Sequence, residues 1–241
     1  MSMILITGTD TDVGKTYVSC LILRALAQAG RLCAGLKPIA SGCENTSDGK
    51  FANADALNLM ACSSVKLSYA QTNPYAFAPP IAPHIAARAA GINVELTQIT
   101  AAVRAAEMLC DDVIVEGAGG WLSPLAHALE HADLAKALNA PVLLVVGVRL
   151  GCINHARLTV NEIARSGVRL LGWVANVLPA PSPMLALEEN IASLLELLPA
   201  PMLARVDSML PCRSSQDPGS LGDSGLMAAI LGRYSNSKSF G

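Results

Sequence analysis

An apolar run, Met3-Ile4-Leu5-Ile6, leads into Gly8-Thr9-Asp10-Thr11-Asp12-Val13-Gly14-Lys15-Thr16 and then into a helical pattern beginning near Val13. A strand delivering a Gly-containing loop that closes with Gly-Lys-Thr at the head of a helix is a phosphate-binding loop. Gly14 lets the backbone approach a phosphate that a side chain would block. Backbone N–H groups and the helix N-terminus make an anion site. Lys15 can reach the β- and γ-phosphates, and the Thr16 hydroxyl can ligate Mg²⁺. Five residues, Thr9 to Val13, separate Gly8 from Gly14. The usual spacing has four, so Thr9 stands where the leading glycine is expected.

The rest of the chain repeats the strand-then-helix rhythm. Strands are expected at 3–7, 32–37, 112–116, 141–147 and 169–175, with a shorter one near 202–206. Most are continuous apolar runs, such as Val142-Leu143-Leu144-Val145-Val146, the pattern of strands buried on both faces. Helices are expected at about 14–29, 53–61, 95–110, 131–139, 152–166 and 184–198. The alternation predicts a single α/β domain: a mostly parallel twisted sheet with helices on both faces, of the P-loop NTPase type. Residues 40–52 read as a polar loop. Residues 72–84 carry Pro74, Pro79, Pro80 and Pro83 and are expected to be irregular. The domain spans 1–211, and 212–241 is its loop, a short helix at about 224–233, and a frayed tail.

Composition narrows the partners. A formal net charge of −2 over 241 residues leaves no electrostatic footprint for nucleic acid. No apolar run approaches the roughly 20 residues of a membrane span. The N-terminus enters the first strand directly, so no signal peptide is expected. Cysteines stand at positions 20, 33, 43, 62, 110, 152 and 212, with no Cys-x-x-Cys pair. They are expected to be reduced thiols in a cytoplasmic protein. His127 and His131 stand four apart, and with no third ligand nearby they are not assigned a metal.

Chemistry needs a carboxylate near the nucleotide's metal. Asp112-Val113-Ile114-Val115-Glu116-Gly117-Ala118-Gly119-Gly120 supplies Glu116 at the carboxyl end of an apolar run, where ligands bind in open α/β sheets. Asp55, in Asn53-Ala54-Asp55-Ala56-Leu57, either points at the same metal or serves as a first-turn carboxylate favoured by the helix dipole. Lys37, in Lys37-Pro38-Ile39-Ala40-Ser41-Gly42, is either a partner for phosphate or carbamate or an exposed strand-end lysine. Gly151-Cys152-Ile153-Asn154 begins a helix that either receives a carboxylate or is simply capped by Asn154.

Together GTDTDVGKT, KPIASG, NADAL, NPYAFAPPIAPH, VEGAGGWLSPL, VVGVRLGCINHA and GWVAN resemble the dethiobiotin synthetase family, in the expected order from about residue 3 to about 203. The resemblance implies that ATP, CO₂ and 7,8-diaminononanoate yield dethiobiotin, ADP and phosphate in a homodimer. It implies that Asp12, Val13, Gly14, Lys15, Thr16 and Tyr17 cradle the ATP phosphates, and that Thr16, Asp55 and Glu116 hold Mg²⁺. Thr11, Lys37 and Ser41 would hold the diamine and its carbamate, with Lys15 and Lys37 offsetting the gathered negative charge. Glu116, Gly117, Ala118 and Gly119 would line the ATP site, and Asn176 would read the adenine edge. Gly151, Cys152, Ile153 and Asn154 would take the substrate carboxylate across the dimer interface.

Two positions depart from the family. Asp12 stands where Glu is common. Ala204-Arg205-Val206-Asp207-Ser208-Met209 replaces a Gly-x-Ile-Pro segment, so Asp207, Ser208 and Met209 are assigned to the nucleotide pocket by position alone. A dimeric switch ATPase shares such a sheet, but it carries an extra lysine five residues before the loop lysine, where this chain has Asp10. Amidoligases of cobalamin synthesis carry a glutaminase domain for which this chain has no room.

Overall fold

The computed structural model describes residues 2–46, 49, 51–178 and 184–207. The elements run β1 (Ser2–Gly8), α1 (Lys15–Gln28), β2 (Cys33–Leu36), β3 (Ile39–Ala40), β4 (Glu44–Asn45), β5 (Phe51–Ala52), α2 (Ala54–Cys62), α3 (Tyr69–Thr72) and β6 (Tyr75–Ala76). They continue with α4 (Pro83–Ala89), α5 (Leu96–Glu107), β7 (Asp112–Gly120), α6 (His131–Leu138), β8 (Val142–Val148), α7 (Cys152–Arg165), β9 (Leu170–Val177), α8 (Leu187–Leu197) and β10 (Met202–Val206). Six strands form one sheet in the order β10-β9-β8-β1-β7-β2, and every pairing in it is parallel.

Alternation along β1 explains why its apolar run is continuous. Met3 and Leu5 face one side with Val113 and Val115, packed with Ile99 and Val103 of α5 and Leu134 and Leu138 of α6. Ile4 and Ile6 face the other side with Ile114, Leu143 and Val145, packed with Val18, Ile22, Leu23 and Leu26 of α1. A second pair of helices, α7 and α8, covers Leu144, Val146 and Trp173. Each fully buried aliphatic side chain of this kind contributes about 1.5–3 kcal/mol. β1 lies at the switch of strand order, with β7 on one side and β8 on the other. The crevice outside the carboxyl ends of the strands at such a switch is where ligands bind.

The six expected strands and the six longer helices form, with ends shifted by a few residues. The polar stretch 40–52 contains the two-residue ribbon β4–β5. The proline-rich stretch is not wholly irregular: Pro83 is the first residue of α4, a position where a missing N–H is harmless and the fixed φ helps. α3 was not expected; a capping box between Ser68 and Gln71 holds it. The 224–233 helix falls outside the described residues. Among the described residues no helix is long and apolar enough to cross a membrane.

Candidate active site

The loop between β1 and α1 is fastened by its buried side. Thr9 N–H donates to the Val145 carbonyl at 3.0 Å, and Val13 is 1% exposed. A Cβ on Gly8 would stand 2.6 Å from Val13 Cγ2, so Gly8 is the glycine that this loop requires, by close approach. Val13 thus plugs the loop with its side chain and offers only backbone to a ligand. Its carbonyl accepts a 2.8 Å hydrogen bond from Asn176 Nδ2 on β9. Gly14 caps α1 in the left-handed region at φ 86°, and no side chain caps the helix. The first-turn N–H groups of α1 are therefore not taken by a cap, which suits them to an anion.

Three side chains converge on Glu116. Lys37 Nζ donates to Glu116 Oε1 at 2.7 Å, and Thr16 Oγ1 donates to the same oxygen at 2.7 Å. Ser19 Oγ stands 2.9 Å from Oε2. Lys37 Nζ also lies 3.1 Å from Asp55 Oδ2 and 3.4 Å from the Gly117 carbonyl. Glu116 is 1% exposed and Lys37 5%. Burial alone would lower the Lys37 pKa, but the Glu116 and Asp55 carboxylates outweigh it, and the ammonium is held well above its ordinary value. Burial would raise the Asp55 pKa; Lys37 reverses that and holds it below the usual carboxylate range. Lys15, 7% exposed, turns back on the loop and donates to the Asp10 carbonyl at 2.8 Å. Burial, then the Lys37 ammonium, lowers its pKa to about 8.

Local structure explains why these groups meet. Lys37 follows β2, and its carbonyl accepts from Asn73 Nδ2 at 2.6 Å. Asn53 caps α2 through its Oδ1 to Ala56 N–H, while its Nδ2 donates to the Ser41 carbonyl at 3.1 Å. One side chain therefore ties the Lys37–Ser41 segment to the helix that carries Asp55 in its first turn.

Thr16, Lys37, Asp55 and Glu116 thus come together in space, with Lys15 close by. Some expectations change. Glu116 is not at the end of its strand: β7 continues to Gly120, because Gly8 re-pairs with Gly120 beyond a register shift. Asn154 does not cap α7; Gly151 does, at φ 93° with no side-chain cap. Cys152 is 1% exposed, so its side chain is core and not a ligand contact. Gly151 to Asn154 follow β8, on the opposite side of β1 from β7 and β2. Thr11 is exposed and lies over Gly119, its Oγ1 3.7 Å from a Cβ built there. Tyr17 packs partly buried against the α1-side core. Asp207 pairs with Arg205 at 2.6 Å. Ser208 and Met209 lie outside the described residues.

Three participants escaped the sequence reading. Ser19 was findable, standing one turn after Thr16 on the same helix face. Arg149 pairs with Asp10 at 2.5 Å, both about half exposed, joining the loop to the β8–α7 turn; no local signal marks it. His131 lies fully buried against Gly117, a contact made only by tertiary packing.

Lys15 at the head of α1 and Glu116 facing it from β7 are the poles of a nucleotide-handling site, and the architecture around them is that of P-loop NTPases. Solved structures share it: the septum site-determining protein MinD of Pyrococcus horikoshii, complexed with Mg-ADP, aligns at TM-score 0.53 and 14% identity, over 100% of this chain and 97% of that one. A ParA family ATPase from Chlorobium tepidum aligns at TM-score 0.57 and 11% identity, over 95% and 97%. An AAA domain family model matches residues 2–215. At higher identity stand the ATP-dependent dethiobiotin synthetases BioD of Pseudomonas aeruginosa PAO1, 51% identical over 208 residues (86% of this chain, 90% of the relative), and BioD 1 of Escherichia coli K12, 47% identical over 201 residues (83% and 88%). The chain belongs to the ATP-dependent dethiobiotin synthetase family, ligases that close the ureido ring in biotin biosynthesis.

Proposed function

We propose that the Lys37–Glu116–Asp55 cluster is where this chain turns 7,8-diaminononanoate, CO₂ and ATP into dethiobiotin, ADP and phosphate. The observation that carries the reading is a buried ammonium held 2.7 Å from Glu116 and 3.1 Å from Asp55, beside a phosphate loop. Such a charge is preorganised for a point where two anions must meet.

In the proposed sequence one substrate amine adds to CO₂ and loses a proton, giving a carbamate. A carbamate oxygen attacks the γ-phosphorus, and the bond to the β-phosphate oxygen breaks, releasing ADP. The second amine attacks the carbamic carbon, loses a proton and expels phosphate, which closes the cyclic urea. Lys37 and Ser41 hold the carbamate end, with Thr11 above the Gly119 turn. The first-turn N–H groups of α1 and the Lys15 ammonium receive the phosphates. Because both amines belong to one bound molecule, ring closure is intramolecular.

The residues present fit Mg²⁺. Thr16 Oγ1, Asp55 and Glu116 supply hard oxygen donors converging on one point, and Mg²⁺ takes one or two carboxylates together with phosphate oxygens. Bound there, it would neutralise charge on the triphosphate. Asn176 reaches the loop from β9 and would contact the base. The substrate carboxylate goes to the α7 N-terminus, Gly151 to Asn154, completed by a second copy of the chain. Leu150 beside it is 92% exposed and Leu158 on α7 61% exposed, apolar surface that a homodimer would cover. The proposed compartment is the cytoplasm, in keeping with cysteines that are free among the described residues.

The test is to incubate purified protein with Mg-ATP, bicarbonate and 7,8-diaminononanoate and to assay dethiobiotin and ADP together by mass spectrometry. One dethiobiotin per ADP is expected. ADP release indifferent to the diamine would overturn the reading. Sedimentation should give a dimer, and Leu150→Lys a monomer with impaired synthesis.

A further inference from the structure

His131 is the first residue of α6 and is 0% exposed. Its ring fills the space where residue 117 would carry a side chain: a Cβ on Gly117 would stand 2.6 Å from both Cδ2 and Nε2. Among the described residues neither ring nitrogen makes a well-formed hydrogen bond, although the Trp121 and Ser123 backbone lies near. The Trp121 ring lies 6.0 Å away, inclined by 34°. Register places Thr7 next to this point, since Ile6 pairs with Glu116, and Thr7 Oγ1 is likewise buried without a hydrogen-bond partner among the described residues. A buried polar ring whose nitrogens lack good partners is disfavoured, so an apolar residue would pack there at lower cost. The ring stays uncharged: burial, then the Lys15 ammonium, and further the Lys37 ammonium, lower its pKa to about 4, against smaller opposing effects of the Trp121 and Ser123 backbone.

Gly117 is also the residue whose carbonyl receives Lys37 Nζ at 3.4 Å, directly after the carboxylate that receives it at 2.7 Å. We propose that His131 is a positioning residue for ring closure: its ring wedges against Gly117 and fixes the Glu116–Gly117 peptide, and through it Lys37. The inference rests on the role given to Lys37 above. It needs no ring nitrogen; the shape of the ring does the positioning. Misplacement of a catalytic group by 1 Å costs up to about 100-fold in rate, so a packing contact behind the site is enough to affect turnover.

A double-mutant cycle tests this. Gly117→Ala pushes a methyl group into the ring and is expected to lower kcat for dethiobiotin by about tenfold or more, with KM for ATP little changed. His131→Ala removes the wedge and is expected to lower kcat similarly. In the double variant the methyl enters the vacated space, and kcat is expected to recover above that of Gly117→Ala alone. His131→Phe, which refills the space without nitrogens, is expected to restore most of the kcat lost in His131→Ala. Thermal unfolding midpoints and active-site titration normalise each rate to folded enzyme. Additive losses in the cycle, or unchanged kcat per folded molecule in His131→Ala, would overturn the inference. If His131→Ala does not fold, His131→Leu takes its place in the cycle with the same outcomes. Failure of the Lys37 reading is distinguishable, because Lys37→Ala would then keep its turnover whatever the cycle gives.

Discussion

Lys37 Nζ lies 2.7 Å from Glu116 Oε1, with the side chains 7% and 0% exposed. A pair this buried is not held for stability, since an apolar pair of like volume would often serve as well. In the proposed reaction it links the strand that carries the metal-side carboxylate to the segment that receives the carbamate.

Replacing Lys37 with alanine separates these two consequences. Synthesis is expected to fall by about 100- to 1,000-fold, the range seen when one preorganised charge is removed. The fold is expected to survive with stability lowered by about 3 kcal/mol, because Glu116 is left buried without its cation. Thr16 and Ser19 still donate to it, which limits the loss. Steady-state assays and urea unfolding check both. Near-normal turnover would remove Lys37 from the chemistry.

Glu116→Gln keeps the shape and removes the charge. An amide is a poor Mg²⁺ ligand, so the Mg²⁺ concentration needed for half-maximal turnover is expected to rise by about tenfold. Titrating Mg²⁺ at fixed ATP reads this. An unshifted Mg²⁺ curve would move the metal elsewhere.

His131 gives the protein a signature in acid. Its pKa is about 4 in the fold, lowered from 6.5. The unfolded chain therefore binds a proton through this pH window that the native state refuses. The contribution is absent above pH 6.5 and grows as destabilisation as pH falls toward 4, reaching up to about 3 kcal/mol. His131→Phe is expected to lose less stability between pH 7 and pH 4 than the parent protein. Urea unfolding of both across that range checks it, and parallel curves would count against it.

Asn176 acts on the loop from the far side of β1. Removing its 2.8 Å hydrogen bond to the Val13 carbonyl with Asn176→Ala is expected to lower stability by about 1 kcal/mol. The KM for ATP is expected to rise several-fold, and kcat to change less. A kcat effect without a KM effect would place Asn176 in the chemistry instead of the nucleotide site.

Much of this was legible in the chain. Met3 to Ile6 and Val142 to Val146 announce strands buried on both faces, and Gly14-Lys15-Thr16 announces a helix that opens on phosphate, because side-chain periodicity and backbone permissiveness are local properties. The short helix α4 was missed because four prolines dominate the reading of 72–84, although Pro83 favours a helix start. The end of β7 was missed because the register between β1 and β7 depends on both strands.

The cluster itself belongs to the tertiary structure. Lys37, Asp55 and Glu116 stand in separate segments, and taken one at a time each also has a plain reading, as a strand-end lysine, a first-turn helix carboxylate and a loop glutamate. Only the sheet order, which sets β7 between β1 and β2, brings them within hydrogen-bonding distance and buries Lys37 and Glu116. Proximity to the Glu116 and Asp55 carboxylates raises the Lys37 pKa against the lowering effect of burial, and neither proximity nor burial is a property of a residue in its own sequence. Likewise His131 is an ordinary helix-start histidine in the sequence, and it becomes a wedge because α6 packs against a strand that has a glycine at that one position.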